Sequence, residues 1–220
     1  MRVVIAGGHG KIALILERLL AERGDSVVGL IRNPSQAADL EAAGAEAVVI
    51  DLEAASVDDL APHLRGADAV VFAAGAGPGS GAARKETVDR DAAILLADAA
   101  EAANVARYVM VSSTGADADA PGVRDEVFTA YLRAKGAADD NVRARPKLDV
   151  TVIRPGHLTD DPGTGQVTTA EHTLRGSIPR ADVAAVILAV LDTPRTIGQT
   201  FELIAGDIPI TAAVTTSDRE

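Results

Sequence analysis

Seven short runs of nearly continuous apolar, β-branched residues recur along this chain, at 2–6, 26–31, 47–50, 69–73, 108–112, 150–154 and 200–204. A strand with one wet face alternates apolar and polar side chains, so strands that are apolar throughout must be covered on both faces. Longer stretches with helical spacing separate them, at 11–22, 35–43, 57–64, 87–103, 124–144 and 181–191. In the first, Ile12, Ile15, Leu16 and Leu19 recur three and four apart and make a single stripe. Asn33-Pro34 and Asp182 mark helix starts, and Gly24, Gly44 and Gly66 mark helix stops. Strand–helix alternation with right-handed crossovers predicts an α/β fold: one doubly wound domain, its mostly parallel sheet of about seven strands carrying helices on both faces.

The 220 residues suit one such domain over 1–214, followed by a polar tail at 215–220. The polar segment 159–177, with Pro162, Gly163 and Gly165, breaks the alternation and is expected to form a small flap over the carboxyl edge of the sheet. Only five aromatic residues are present while alanine is roughly a fifth of the chain, so the core must be built from Val, Ile, Leu and Ala. A net charge of −11 repels a phosphate backbone and argues against nucleic acid as partner. The absence of cysteine excludes disulfides, thiolate metal sites and cysteine nucleophiles. No pair of histidines with carboxylates has ligand spacing, so no metal is expected. No run of about 18 apolar residues and no signal-like start occur, which makes a cytoplasmic protein without membrane contact the expectation.

Gly7-Gly8-His9-Gly10-Lys11-Ile12-Ala13 follows the first strand and opens the first helix. Glycine is required where the backbone turns sharply and where it approaches a diphosphate without a Cβ in the way, and the helix then aims free N–H groups at the phosphates. Gly7 and Gly10 suit the first two roles, Ala13 the close packing of helix on strand, and Lys11 adds a charge. With a strand before, a helix after and a second strand within 30 residues, the turn reads as a dinucleotide site. The second strand ends without the acid that would hold a ribose 2′-hydroxyl; Arg32 stands there instead. A guanidinium forks onto a 2′-phosphate, so NADP(H) is expected over NAD(H), with NAD(H) still possible. Asp51-Leu52 ends the third strand, placed for the adenine, and Ala73-Ala74-Gly75 ends the fourth with side chains small enough for a cofactor to lie on the backbone.

Tyr131 and Lys135 stand four apart on one predicted helix and project from one face. A neighbouring ammonium favours the phenolate and so brings the hydroxyl nearer the range in which it exchanges a proton with a carbonyl or alcohol. Ser112-Ser113-Thr114 follows the fifth strand at the same edge; Ser113, with Thr114 next, is the candidate to orient a substrate oxygen. The acidic pairs Asp58-Asp59, Asp139-Asp140 and Asp160-Asp161 read as solvated faces or caps. His63 and His172 read as structural, while His157 after Arg154-Pro155-Gly156 could face a substrate.

Taken together, the glycine turn, Asp51, Ala73-Ala74-Gly75, Ser113, Tyr131…Lys135 and Arg154-Pro155-Gly156 resemble the short-chain dehydrogenase/reductase superfamily, in its compact, atypical, epimerase/dehydratase-like branch. The likeness runs from Val3 to about Leu203. It implies a Rossmann fold, hydride transfer at a nicotinamide, a Ser–Tyr–Lys active site and backbone contacts from Pro155-Gly156 to the nicotinamide. Ala13 in place of a glycine and a short carboxyl-terminal region depart from the sugar-nucleotide epimerases. An NADP(H)-dependent reductase of a small carbonyl, quinone or flavin-like acceptor is the first expectation. An epimerase or dehydratase that keeps its cofactor, and a non-enzymatic NADP(H) sensor, are the alternatives.

Overall fold

The computed structural model describes residues 1–77, 79–122 and 125–215; of the polar tail, all but Thr215 lies outside them, as does the expected helix start at Arg124. Strand β1 (Arg2–Ala6) shows why the sheet sits where it does: Val3 and Ile5 enter one apolar layer, Val4 and Ala6 the other, all four without exposure. The chain continues through α1 (Lys11–Arg23), β2 (Ser26–Ile31), α2 (Ala37–Ala42), β3 (Glu46–Val49), α3 (Val57–Leu64) and β4 (Ala69–Phe72). Next come α4 (Ala82–Arg84), a π-helical turn (Lys85–Asp91), α5 (Ala92–Ala102), β5 (Arg107–Val111), α6 (Glu126–Arg143) and β6 (Asp149–Pro155). The last part holds β7 (His157–Thr159), β8 (Gln166–Ala170), β9 (Ser177–Pro179), α7 (Arg180–Leu191), β10 (Thr200–Ala205), β11 (Ile208–Pro209) and α8 (Ile210–Ala213).

The sheet has nine strands in the order β11-β8-β10-β6-β5-β4-β1-β2-β3. The seven from β10 to β3 are mutually parallel and are the seven apolar runs of the sequence; β8 and β11 add an antiparallel edge. Helices α1 and α7 cover one face, with Leu16, Leu20, Val183 and Ile187 on Ile5 and Val109. Helices α3, α5 and α6 cover the other, with Leu60, Leu96 and Ala138 on Val4, Phe72 and Met110. Each fully buried Leu or Val contributes about 1.5–3 kcal/mol. Tyr108, fully buried, donates its hydroxyl hydrogen to the Ala93 carbonyl at 2.9 Å.

Three local expectations need correction. Segment 159–177 gives β8 to the sheet instead of closing over its edge, since Val167 at its centre is fully buried against β10 and β11. Helix α7 begins at Arg180, before Asp182, which is buried and accepts the backbone N–H groups of Thr164 and Gly165. Asp139 lies in no solvated face: it is fully buried. By contrast Asp59 forms a capping box with Ser56, Asn33 accepts the N–H of Ser35, and Gly24 ends α1 in the left-handed region at φ 90°.

Candidate active site

β1 runs on one side into β2 and on the other pairs with β4, so the strand order reverses beside it and a crevice opens past the carboxyl ends. Gly7 turns the chain there at φ +83°, and a Cβ on it would come within 2.6 Å of the Ala74 Cα. Gly10 is the N-cap of α1; it donates to the Gly7 carbonyl at 2.8 Å, and a Cβ on it would sit 3.1 Å from that oxygen, inside the cradle. No side chain caps α1 and no acid stands in its first turn, so its dipole end faces the crevice with its amides unclaimed by any cap. These residues fit a diphosphate.

Two cavities meet on Ala73, Ala74 and Gly75. The first, about 400 Å³, is lined by Gly7, Gly10, Arg32, Asp51, Leu52 and, unforeseen in the sequence, Glu53 and Arg84. Glu53 accepts from Arg32 at 3.0 Å, from Arg84 at 2.6 Å and from Thr87 at 2.7 Å. The Arg84 hydrogen bond, with Thr87 second, holds the Glu53 carboxyl below its usual range. Asp51 turns one oxygen to the Glu53 N–H at 3.0 Å. His9 also lines this cavity, held by Asp39 and Gln36.

The second cavity, about 460 Å³, is lined by Ile12, Lys85, Asp89, Ser112, Tyr131 and Lys135, with Val127, Phe128 and Leu158 as its apolar wall. Lys135 is 3% exposed; its ammonium lies 3.3 Å from Asp89, donates to the Ala74 and Val111 carbonyls at 3.3 and 3.2 Å, and sits 5.1 Å from the Phe72 ring centre. Tyr131 is half-buried, packs on Phe128 with ring centres 6.0 Å apart, and has the Lys85 ammonium 5.3 Å from its ring centre. The π-helical turn brings Lys85 and Asp89 to this wall together, a local widening often met at functional sites. Asp89 also accepts the Ala76 N–H at 3.3 Å and so ties the β4 loop to the lysine.

Other expected site residues lie elsewhere. Ser113 is not among the residues lining either cavity, and its hydroxyl donates to the Thr114 carbonyl at 3.3 Å. The pleat of β5 decides this: Tyr108 and Met110 face α6, so Ser112 does too, and its buried hydroxyl donates to Asp139 at 2.9 Å. Thr114 donates to the Arg154 carbonyl. Arg154 binds Asp139 at 2.8 Å; burial nonetheless pushes the Asp139 carboxyl up, against the pull of Arg154 and Ser112. The Lys11 ammonium pairs with Asp160 outside both cavities. Pro155, Gly156 and the exposed His157 line neither cavity, whereas Leu158 does.

Residues 7–194 match the NAD(P)H-binding family, and the chain belongs to it. Over 215 residues it is 39% identical to the "uncharacterized sugar epimerase YhfK" of Bacillus subtilis strain 168, covering 97% of this chain and 99% of that one. A Bacillus halodurans protein provisionally described as an NAD-dependent epimerase/dehydratase superimposes with a TM-score of 0.89 at 39% identity, covering 98% and 99% of the two chains. The oxidoreductase ylbE of Lactococcus lactis does so with a TM-score of 0.86 at 26% identity, covering 99% and 96%. The protein is thus an NAD(P)H-binding, oxidoreductase- or epimerase-like member of that family, as the resemblance in its sequence implied. Among the described residues no helix is long and apolar enough to cross a membrane.

Proposed function

We propose that the protein is an NADP(H)-dependent reductase of a small carbonyl, quinone or flavin-like acceptor, with Tyr131 as the proton donor. The observation that carries this reading is the meeting of the two cavities on Ala73–Gly75, which joins the glycine turn to the wall bearing Tyr131. A nicotinamide dinucleotide, when bound, would supply the hydride. The chain does the rest. Gly7, Gly10 and the opening of α1 hold the diphosphate. Arg32 and Arg84, both on Glu53, would hold a 2′-phosphate. Val127, Phe128 and Leu158 keep water from the acceptor. Tyr131 gives its hydroxyl proton to the oxygen of the reduced carbonyl. Lys135, locked by Asp89 and bonded to the Ala74 and Val111 carbonyls, fixes the floor to the helix that carries Tyr131 and would hold a ribose. Such proton transfer contributes about 10²–10⁴-fold to a rate.

The name of the Bacillus subtilis relative favours a second reading, an epimerase that oxidises and re-reduces its substrate with a retained cofactor. One experiment separates them: NADPH oxidation followed at 340 nm with aldehydes, quinones and flavins, beside mass spectrometry of nucleotide that survives purification. Net NADPH consumption that stops in Tyr131→Phe supports the reductase. Tightly retained nucleotide with no net consumption supports the epimerase, and no nucleotide binding at all overturns both.

A further inference from the structure

Both lysines of the second cavity are buried, yet they differ in what balances them. Lys135 has Asp89 at 3.3 Å, itself 1% exposed on its side chain. Lys85 is 9% exposed and donates to the Gly77 carbonyl at 3.0 Å. Among the described residues no carboxylate oxygen lies within ion-pair distance of it. Acids of the two cavities are engaged elsewhere: Asp89, one helical step on, faces Lys135; Asp125 on the same cavity wall caps α6 through the Phe128 N–H; Glu53 is held between Arg32 and Arg84. Glu86, next along the helical turn, is exposed and pairs with Arg90.

An ammonium removed from water without a counterion is unfavourable, and a ligand of opposite charge would offset that cost. Part of the cavity wall around it is apolar. The Phe128 and Tyr131 rings lie 30° from parallel, Leu158 closes another side, and Gly77 and Gly79 add no side chain. Val127 and Phe128 remain 38% and 47% exposed at its mouth, apolar surface that an incoming planar group would cover.

We infer that Lys85 is the specificity-determining cation of the acceptor pocket, and that the acceptor is a planar, conjugated molecule bearing an anionic oxygen, a carboxylate or a phenolate. Its ring lies against Phe128 and Tyr131 and its negative oxygen takes the two Lys85 protons left over from Gly77. The inference rests on the reductase reading only for the word acceptor; the anion site itself stands on Lys85 and its surroundings.

The test uses the full chain and two probes of one shape, 2-naphthoate and the neutral 2-naphthamide, titrated calorimetrically with and without NADP+. The wild type should bind naphthoate at least about tenfold more tightly than the amide, the yield of one charge-assisted hydrogen bond. Lys85→Met should abolish that preference while the affinity for NADP+ stays within about twofold of the wild type; Lys85→Arg should keep the preference, and Lys85→Gln replaces the methionine variant should that one not fold. Equal affinities for the two probes in the wild type overturn the inference, as does a preference that survives Lys85→Met. A loss of NADP+ binding in step with naphthoate binding also overturns it, because Lys85 then belongs to the cofactor. Failure of NADP+ to bind the wild type strikes the reductase reading instead, and the naphthoate preference, measured without nucleotide, still decides the role of Lys85.

Discussion

In the half of the crevice lined by Arg32 and Arg84 a single carboxylate, Glu53, already binds both cations, and all three remain partly in water. In the half lined by Tyr131 the charges are buried: Lys135 and Asp89 neutralise each other beneath the floor, and Lys85 meets a carbonyl and the Tyr131 ring but no carboxylate among the described residues. The difference teaches what each half is built to discriminate. Exposed pairs are worth about 0–1 kcal/mol and exchange cheaply for a better anion, which suits reversible capture of a nucleotide phosphate. A buried pair is expensive to disturb and therefore holds a position.

The sharpest break of this contrast is at the proton donor. Tyr131→Phe should lower turnover by about 10²–10⁴-fold while NADPH affinity is unchanged; a rate within about threefold of the wild type would place proton transfer elsewhere. Next, Asp89→Asn should cost about 3 kcal/mol in urea unfolding, because Lys135 is left charged and buried. Glu53→Gln, the corresponding change in the exposed half, should alter stability by less than about 1 kcal/mol. Equal costs would erase the distinction between the halves.

Gly10→Leu should weaken NADPH binding by about a hundredfold, or about 2.7 kcal/mol, with a small change in melting temperature, since its side chain would enter the cradle without entering the core. Arg32→Ala should reduce the preference for NADPH over NADH by about tenfold, the size of one charged hydrogen bond, and an unaltered ratio would leave Arg84 as the reader of the 2′-phosphate.

A further effect is one of pH. Glu17 is fully buried behind the glycine turn, near Gly8 and Gly29, with no partner for either oxygen among the described residues, and burial pushes its carboxyl up to about 8. In the unfolded chain it ionises near about 4.3, so between these values the folded state holds the extra proton and stability falls as pH rises. Glu17→Gln should remove that slope, at most about 1.4 kcal/mol per pH unit, in denaturant unfolding followed from pH 5 to 9. Parallel curves for the two proteins would mean that Glu17 is already solvated or paired.

The parallel frame was legible because burial on both faces leaves a mark in the inner strands: Val3, Val4, Ile5 and Ala6 have no polar alternative. The glycine turn showed because close backbone approach admits no side chain there, and Arg32 and Asp51 were singled out only by their places at strand ends, where they line the first cavity. What could not be read are contacts between distant segments. The π-helical turn that presents Lys85 and Asp89 has no periodic signature, and the partner of Lys135 sits 46 residues before it in the chain. The four-residue spacing of Lys85 and Asp89 did carry a signal, though Asp89 pairs across to α6 instead. The choice of Ser113 over Ser112 turned on a pleat phase that a one-residue shift reverses. Asp139 looked solvated beside Asp140 because only packing on Arg154 and Ser112 reveals its burial.

The most direct test is a crystal structure of the protein with NADP(H) soaked to saturation. The diphosphate is expected on the Gly7–Gly10 turn, the 2′-phosphate between Arg32 and Arg84, and the nicotinamide ring over Ala74 within reach of the Tyr131 hydroxyl. A nucleotide bound away from that turn, or a ring pointing out of the cavity that Tyr131 and Lys85 line, would contradict the account.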